Sequence, residues 1–248
     1  MMRVVSWNID GLSARFDEIR ALADTVTPDF ICLQKVRCNE GRGRFCIDGY
    51  SILSTSDDAG SWSGVMTYAR TPGSFRRIST GRLSADGHLQ VYRTDSFTLV
   101  NAYVPFANPR IEGAVAYRRD WDAEFRCFLQ GIAQSGPLVV CGDFNVVHTI
   151  ADSPDESVER AVPCFTEWER DNFSLLLAQA SLVDVYRSLH PEERAATYFG
   201  NSRNRSHGYR IDYILASREI SSRVSCAEIL TGFGSAPSVP VMMDLDIQ

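Results

Sequence analysis

The sequence predicts a mixed α/β fold in one domain. Short runs rich in Val, Ile and Leu, which are typical of strands, alternate with a few long segments whose apolar residues recur at helical spacing. No repeat, low-complexity tract or Pro/Gly/Ser linker divides the chain, so we expect a single domain over residues 1–248. A composition of 44% hydrophobic and 23% charged residues excludes a disordered chain, a collagen-like repeat and a small disulfide-rich protein.

The predicted strands are short apolar runs bounded by turn residues and helices. They cover residues 3–7, 30–33, 65–69, 89–93, 97–104, 138–141, 210–216 and 241–245.

Three helices are predicted from apolar residues spaced three and four apart, over 13–27, 112–133 and 166–179. The third begins with Thr166 and Glu169, whose spacing is that of a capping box, in which each side chain bonds the backbone of the other residue.

Charge and cysteine content restrict the possible partners and the compartment. The net charge is −6, so contact with nucleic acid requires a local basic patch. Of the 25 cationic side chains, 24 are arginine, and Lys35 is the only lysine. The seven cysteines show no C-x-x-C pair, and Cys32 and Cys141 lie in apolar strands, which favours reduced thiols. With no apolar run long enough to span a bilayer and no signal peptide, we expect a cytoplasmic protein that does not associate with membranes.

Polar side chains follow or begin several of the predicted strands. One such residue alone is more often a turn or helix cap, but several at the ends of strands in an α/β sheet predict a shared site. These residues are Asn8, Asp10, Gln34, Lys35, Tyr103, Asp143, Asn145 and Asp212.

Six segments in order carry a family resemblance. They are S-W-N-I-D-G-L at 6–12, I-C-L-Q at 31–34, S-G-V at 63–65, N-A-Y-V-P at 101–105, G-D-F-N-V-V-H at 142–148 and Y-R-I-D-Y at 209–213. Together they resemble the motifs of the exonuclease III/apurinic (AP) endonuclease family, within the endonuclease–exonuclease–phosphatase superfamily. The resemblance implies a four-layered α/β sandwich, with two mixed β-sheets packed face to face and helices outside.

The resemblance also implies DNA repair chemistry, in which Mg²⁺ or Mn²⁺ assists hydrolysis of a phosphodiester at an abasic site or a 3′ end. Asp143 and Asn145 would orient or deprotonate the attacking water, Tyr103 would contact the phosphate, and Asp212 would orient a histidine. Asn8 and Asp10 would face the metal. Tyr198, Tyr209 and Ile211 match a pocket for a flipped abasic sugar, although ordinary core packing also explains the two tyrosines.

Arginines in loops are the expected contacts to the nucleic-acid backbone, because guanidinium groups bind phosphate in a bidentate manner. Arg110, Arg203 and Arg205 lie in loops that flank the DNA groove in the family, and Arg210 is a further candidate. Arg118 and Arg119, on the long helix, are expected on a solvated face.

Two departures from the family pattern affect its chemistry. Lys35 occupies the position of a metal-ligating glutamate. The family's last motif is Ser-Asp-His followed two residues later by Pro, but residues 234–241 read G-S-A-P-S-V-P-V. Alignment on Pro240 puts Pro237 and Ser238 at the Asp and His positions, and alignment on residues 234–235 recovers neither group. A further difference is Phe106, where the family usually has asparagine.

Lys35 has two interpretations. Its ammonium lies among Asn8, Asp10 and Asp143 and does the electrostatic work of the ion, or it points to solvent. If the ammonium lies in the site, it repels a metal cation. Two like unit charges about 4 Å apart repel by roughly 4 kcal/mol at an effective dielectric of about 20, which opposes ion binding.

Two functional hypotheses follow. The first is a monomer that binds DNA, RNA, another phosphate ligand or a protein partner, needs no ion, and has lost most or all phosphodiesterase activity. The second is an active Mg²⁺- or Mn²⁺-dependent repair endonuclease or exonuclease.

Overall fold

A computed structural model describes residues 1–38, 44–55, 64–70, 73–84, 87–153, 162–200, 207–234 and 237–247. Its strands are β1 (Met2–Asn8), β2 (Phe30–Gln34), β3 (Tyr50–Thr55), β4 (Val65–Arg70), β5 (Arg76–Arg77), β6 (Leu89–Arg93), β7 (Thr98–Tyr103), β8 (Leu138–Asp143), β9 (Leu182–Asp184), β10 (Asp212–Ser217), β11 (Val224–Ile229) and β12 (Val241–Leu245). Its α-helices are α1 (Leu12–Val26), α2 (Ala114–Ala133), α3 (Glu167–Gln179), α4 (Val185–Leu189) and α5 (Arg218–Ser221).

The strands form two six-stranded sheets. The first has the order β11-β12-β1-β2-β4-β3, and the second has the order β5-β6-β7-β8-β10-β9. The pairs β1/β2 and β7/β8 are parallel, and their neighbours are antiparallel. Both sheets are therefore mixed, and the ends of the parallel pairs meet at one edge of the sandwich.

Three apolar layers hold the sandwich together. Side chains of α1 pack on the outer face of the first sheet, and those of α2 and α3 pack on the outer face of the second. The third layer, which includes Phe30, Leu99 and Met243, lies between the sheets. The predicted four-layered α/β sandwich is thus confirmed.

Alternation along the strands directs the polar strand ends into the space between the sheets. On β1, Val5 and Trp7 pack towards α1, whereas Val4 packs between the sheets, and a period of two therefore turns Asn8 inward. The same alternation turns Gln34, Tyr103, Asp143 and Asp212 inward.

Gln34 has a structural role in this space. Its buried amide donates to Asn101 Oδ1 on the opposite sheet at 2.8 Å and to Ser6 Oγ at 3.0 Å. Buried polar groups of this kind are costly unless they are paired, so the contact favours one alignment of the two sheets.

The long elements match the prediction closely. Thr166 caps α3, and its capping box with Glu169 is present. The strands β3, β5, β9 and β11 and the short helices α4 and α5 were not predicted, because these segments are short or lack strand alternation. Among the described helices, none is long and apolar enough to cross a membrane.

Candidate active site

The centre of the site is a hydrogen-bonded carboxylate that joins the two sheets. Asn8 Nδ2, at the end of β1, donates to Asp143 Oδ2 at 2.7 Å. The backbone N–H of Asn145 donates to Asp143 Oδ1 at 2.9 Å. Asp143 is fully buried, so both hydrogen bonds fix its orientation.

Gly142 allows β7 and β8 to approach each other closely beside this carboxylate. It has φ 147°, and a Cβ atom added there would lie 1.8 Å from the carbonyl oxygen of Ala102. Only glycine fits this backbone position. The close approach places Tyr103 directly across from Asp143 in the parallel pair.

Tyr103 is held between an aromatic neighbour and the Asp143 loop. Its ring stacks on His88, with centroids 5.5 Å apart and planes at 25°. The side chain of Asn145 lies near its hydroxyl and opposes the rise of the Tyr103 pKa. Burial, together with the nearby Asp143 charge, raises the pKa of Tyr103, so the phenol stays protonated. The sequence offered no reason to place His88 here.

Lys35 points into the site. Its Nζ lies 5.5 Å from the centroid of the Tyr103 ring. After an inward-facing Gln34, alternation would turn Lys35 outward, but the residue has φ 51° and breaks the strand geometry. Burial raises the pKa of Asp143, and the positive charge of Lys35 is the largest influence that opposes this rise. The ammonium therefore acts electrostatically on the buried carboxylate.

A second cation lies at the same edge and was not predicted. Arg37 Nη2 pairs with Asp10 Oδ1 at 2.7 Å. Asn8 Oδ1 accepts the backbone N–H of Asp10 at 3.3 Å. The side-chain oxygen of Asn8 and one carboxylate oxygen of Asp10, which were expected to face a metal, are thus engaged by protein donors.

These residues do not fit a Mg²⁺ or Mn²⁺ site. A hard cation needs several anionic or carbonyl oxygens, but here Lys35 replaces one carboxylate and Arg37 neutralises another. Within the described ranges, no group of three or more His, Cys, Asp or Glu side chains is arranged to hold a metal ion.

Asp212 lies opposite Asp143 in the antiparallel β8/β10 pair and is also fully buried. Its Oδ2 accepts the hydroxyl of Thr197 at 2.6 Å, whereas its Oδ1 has no hydrogen-bond partner among the described residues. Burial raises the pKa of Asp212 well above its ordinary value, and the neighbouring Asp143 adds to the rise. Thr197 thus holds a carboxyl that was expected to orient a histidine.

Ser238 is the residue that the alignment on Pro240 places at the position of that histidine. Its neighbour Val239 donates its N–H to the carbonyl of Thr197 at 2.8 Å, which puts this segment beside the Asp212 contact. The Ser238 hydroxyl is buried and, like Asp212 Oδ1, has no partner in the described part of the chain. Under the alignment on Pro240, a hydroxyl takes the position of the imidazole.

The three residues of the expected apolar pocket are brought together. Tyr198 and Tyr209 exchange both backbone hydrogen bonds at 2.9 Å. Both rings pack with Ile211 against a small apolar cluster that includes Phe165 and Cys164. Burial and the nearby charge of Asp143 raise the pKa of Tyr198, so this cluster borders the carboxylate site.

The arginines that were expected to contact nucleic acid differ in where the structure places them. Arg110 is exposed in the loop between β7 and α2. Arg203 and Arg205 lie outside the described residues, as do Ser63 and residues 235–236 of the motifs. The expectation for Arg210 is wrong, because this side chain is 1% exposed and is paired with Asp152 and Asp184.

The expectation for Arg118 is also wrong, although Arg119 is exposed as predicted. Arg118 is 3% exposed and pairs with Asp122 at 2.8 Å. It donates to the carbonyls of Pro105 at 2.7 Å and Phe144 at 3.0 Å. One buried guanidinium thus ties α2 to the two loops that follow Tyr103 and Asp143.

Comparison with known proteins agrees with this arrangement. The chain matches the model of the Endonuclease/Exonuclease/phosphatase family over residues 5–235. It is 33% identical over 232 residues to the DNA repair nuclease APEX1 of Danio rerio, which covers 87% of this chain and 73% of the relative. The chain belongs to the exonuclease III/AP endonuclease family. Members of this family generally depend on a divalent metal ion.

Other members of this family align over nearly the whole chain. An exodeoxyribonuclease of Bacillus subtilis is 24% identical over 255 residues, covering 99% of this chain and 100% of the relative. The crystal structure of an AP endonuclease from Leishmania major has a TM-score of 0.88 at 21% identity, covering 100% of this chain and 88% of that one. A 3′ phosphatase from Neisseria, bound to a product DNA hairpin, has a TM-score of 0.87 at 21% identity and covers both chains fully.

Proposed function

We propose that this family member binds the phosphate backbone of nucleic acid at the Lys35–Tyr103–Asp143 site and hydrolyses phosphodiesters very slowly or not at all. Relatives named as DNA repair nucleases and a neighbour bound to a DNA hairpin support nucleic acid as the ligand. DNA is the expected ligand, and RNA offers the same phosphate chemistry.

The observation that carries this proposal is the position of Lys35. Its ammonium lies against Tyr103 and acts on the buried charge of Asp143. A fixed ammonium attracts phosphate oxygens, but as a monovalent charge it cannot lower the pKa of a bound water as a divalent ion does. Binding is thus retained, whereas activation of the water is lost.

Loss of the acid–base pair supports the same conclusion. Ser238 cannot act as a proton donor or acceptor near neutral pH, and Asp212 contacts Thr197 in place of an imidazole. A missing general acid–base group typically lowers a rate by about 10²–10⁴-fold.

The second candidate function is metal-dependent cleavage of abasic DNA or of 3′ ends. It is favoured by the intact Asn8–Asp143–Asn145 hydrogen bonds and by Tyr103 beside them. For this function to operate, Lys35 and Arg37 would have to leave their present positions before an ion binds.

Cleavage and binding assays on the same oligonucleotides separate the two functions. We expect no cleavage of abasic duplex or 3′-tailed DNA with Mg²⁺ or Mn²⁺, and binding that persists in EDTA. Replacing Lys35 with Met should weaken binding and reduce the slope of log K against log salt by about 0.7–0.9, the contribution of one phosphate contact.

The matched control is Arg20→Met, which removes one charge from a side chain 58% exposed on α1. This variant should bind as the wild type does. Turnover that EDTA abolishes and that Asp143→Ala removes would establish the metal-dependent function instead.

A further inference from the structure

Three large apolar side chains remain exposed on the segment that follows Tyr103. Phe106 is 42% exposed, Ile111 is 59% exposed and Tyr117 is 43% exposed. The other exposed large hydrophobic residues of the described part are widely separated in sequence: Met1, Ile150, Leu175 and Leu189. Clustered apolar exposure next to a polar site commonly marks a binding surface.

The backbone that carries these side chains is ordered by its own hydrogen bonds. The Asn108 N–H donates to the carbonyl of Phe106 at 2.9 Å, and the Ile111 N–H donates to that of Asn108 at 3.1 Å. The Tyr117 N–H donates to Gly113 in the first turn of α2 at 2.8 Å. The three side chains are therefore presented from a fixed loop and helix start, which lowers the entropy cost of binding.

Aromatic contacts connect this surface with the phosphate site. The ring of Tyr117 lies 6.4 Å from that of His88, and His88 stacks on Tyr103 at 5.5 Å. The Nζ of Lys35 lies 5.5 Å from the centroid of the same Tyr103 ring. Two ring contacts therefore link Tyr117 to the ring beside Lys35, and Phe106 follows that ring by three residues in the chain.

The chemistry of Phe106 favours a nucleobase as the occupant. The family usually has asparagine at this position, whose amide can hydrogen-bond to phosphate or water. A phenyl ring offers no hydrogen bond but presents a flat face, and exposed aromatic rings stack on unpaired bases without regard to sequence. Bases inside a duplex are already stacked on each other and are not available in this way.

We propose that Phe106, Ile111 and Tyr117 form a stacking surface for unpaired nucleobases, so that the preferred ligand is a single strand. This proposal rests on the proposed function, because it places the backbone of that strand at Lys35. The exposed guanidinium of Arg110, within the same loop, supplies a second cation for the backbone.

The test measures binding of three probes by fluorescence anisotropy: a single-stranded oligonucleotide, a blunt duplex, and a strand of abasic sugar-phosphate units without bases. We expect the single strand to bind at least about fivefold more tightly than the strand without bases, from stacking of one base. Phe106→Ala and Tyr117→Ala should each remove most of this difference and leave binding of the strand without bases unchanged.

Two further variants sharpen the test. Phe106→Trp should retain single-strand binding, whereas Phe106→Asn should lose it. The control Leu175→Ala removes a side chain that is 47% exposed on α3 and should have no effect.

Equal binding of strands with and without bases, tighter binding of the duplex, or no effect of Phe106→Ala would overturn the stacking surface alone. If the wild type binds none of the three probes, the proposed function fails and the stacking surface fails with it.

Discussion

At the scale of single residues, the site keeps most polar groups of the family motifs and departs from them at a few positions. Asp143 accepts hydrogen bonds from Asn8 and from the Asn145 backbone, and Tyr103 lies across from it in the parallel strand pair. Lys35 and Ser238 stand where a carboxylate and an imidazole are expected. The positive charge of Lys35 therefore offsets part of the cost of burying the Asp143 carboxylate.

The residues at the site predict which substitutions are needed to restore metal-dependent cleavage. Lys35→Glu alone should raise the affinity for Mn²⁺, because it removes a repulsive charge and adds an anionic oxygen. It should restore little cleavage, since the acid–base pair is still absent. Adding Pro237→Asp and Ser238→His should then raise the rate by about 10²-fold or more over Lys35→Glu.

Calorimetry with Mn²⁺ and a cleavage assay on abasic duplex DNA measure these two effects separately. Lys35→Met, which removes the charge without adding a ligand, is the control for the calorimetry. Strong cleavage by Lys35→Glu alone would show that the missing acid–base pair matters less than the structure indicates.

The sequence predicted which residues meet at the site but not how Lys35 is oriented. The polar strand ends could be predicted because each lies at one end of an apolar strand, and these ends meet at a common edge of an α/β sheet. The direction of the Lys35 side chain could not be predicted from the sequence. It depends on a left-handed backbone conformation that is unfavourable for lysine. Arg37 and His88 reach the site through contacts distant in sequence.

At the scale of elements, buried arginines connect helices and loops that the sequence treats as separate. Arg118 was expected on a solvated helix face because arginine is usually exposed. It is buried since the carbonyls of the two loops at the site need donors, and one guanidinium supplies them. Sequence spacing shows the face of a helix but not the polar backbone groups that lie against it.

The hydrogen bonds between Asp152 and the second buried arginine, Arg210, predict how the stability of the fold depends on pH. Asp152 Oδ1 accepts from Arg210 at 2.7 Å and from Arg187 at 2.6 Å. Burial alone would raise the pKa of Asp152, but the positive charge and hydrogen bonds of Arg210, with those of Arg187, hold it below its usual value. The contribution of Asp152 to stability is thus complete above its unfolded pKa of about 3.9 and is lost as the pH falls through the lower folded value.

The matched measurement is urea unfolding of the wild type and Asp152→Asn between neutral pH and about pH 2. We expect the variant to be less stable at neutral pH by about 3–5 kcal/mol, because it leaves Arg210 incompletely paired. The difference should narrow on acidification. Asp17→Asn, at a side chain 98% exposed, should match the wild type throughout, and a difference for Asp152→Asn that does not depend on pH would contradict the ionic account.

At the scale of the whole molecule, two sheets converge on one edge and bring residues from both halves of the chain together. Apolar periodicity predicted a mixed α/β fold, but pairing of the strands into two sheets followed only from the family resemblance. Periodicity shows which face of a strand is buried and not which strand lies beside it. The edge strand β5 consists of two exposed arginines, and β11 has only one fully buried residue, so neither presents a clear apolar pattern.

We propose that the Lys35 ammonium occupies the place and the electrostatic role of the family's metal ion. Because Lys35 is the only lysine, reductive methylation with ¹³C-formaldehyde labels just its Nζ and the α-amino group, and it preserves the charge. The most direct test is the NMR signal of this label during titration with Mn²⁺, a paramagnetic ion that broadens nearby resonances. We predict that millimolar Mn²⁺ leaves the Lys35 signal sharp and that a single-stranded oligonucleotide shifts it. Selective broadening of the Lys35 signal, while the α-amino signal stays sharp, would contradict the claim.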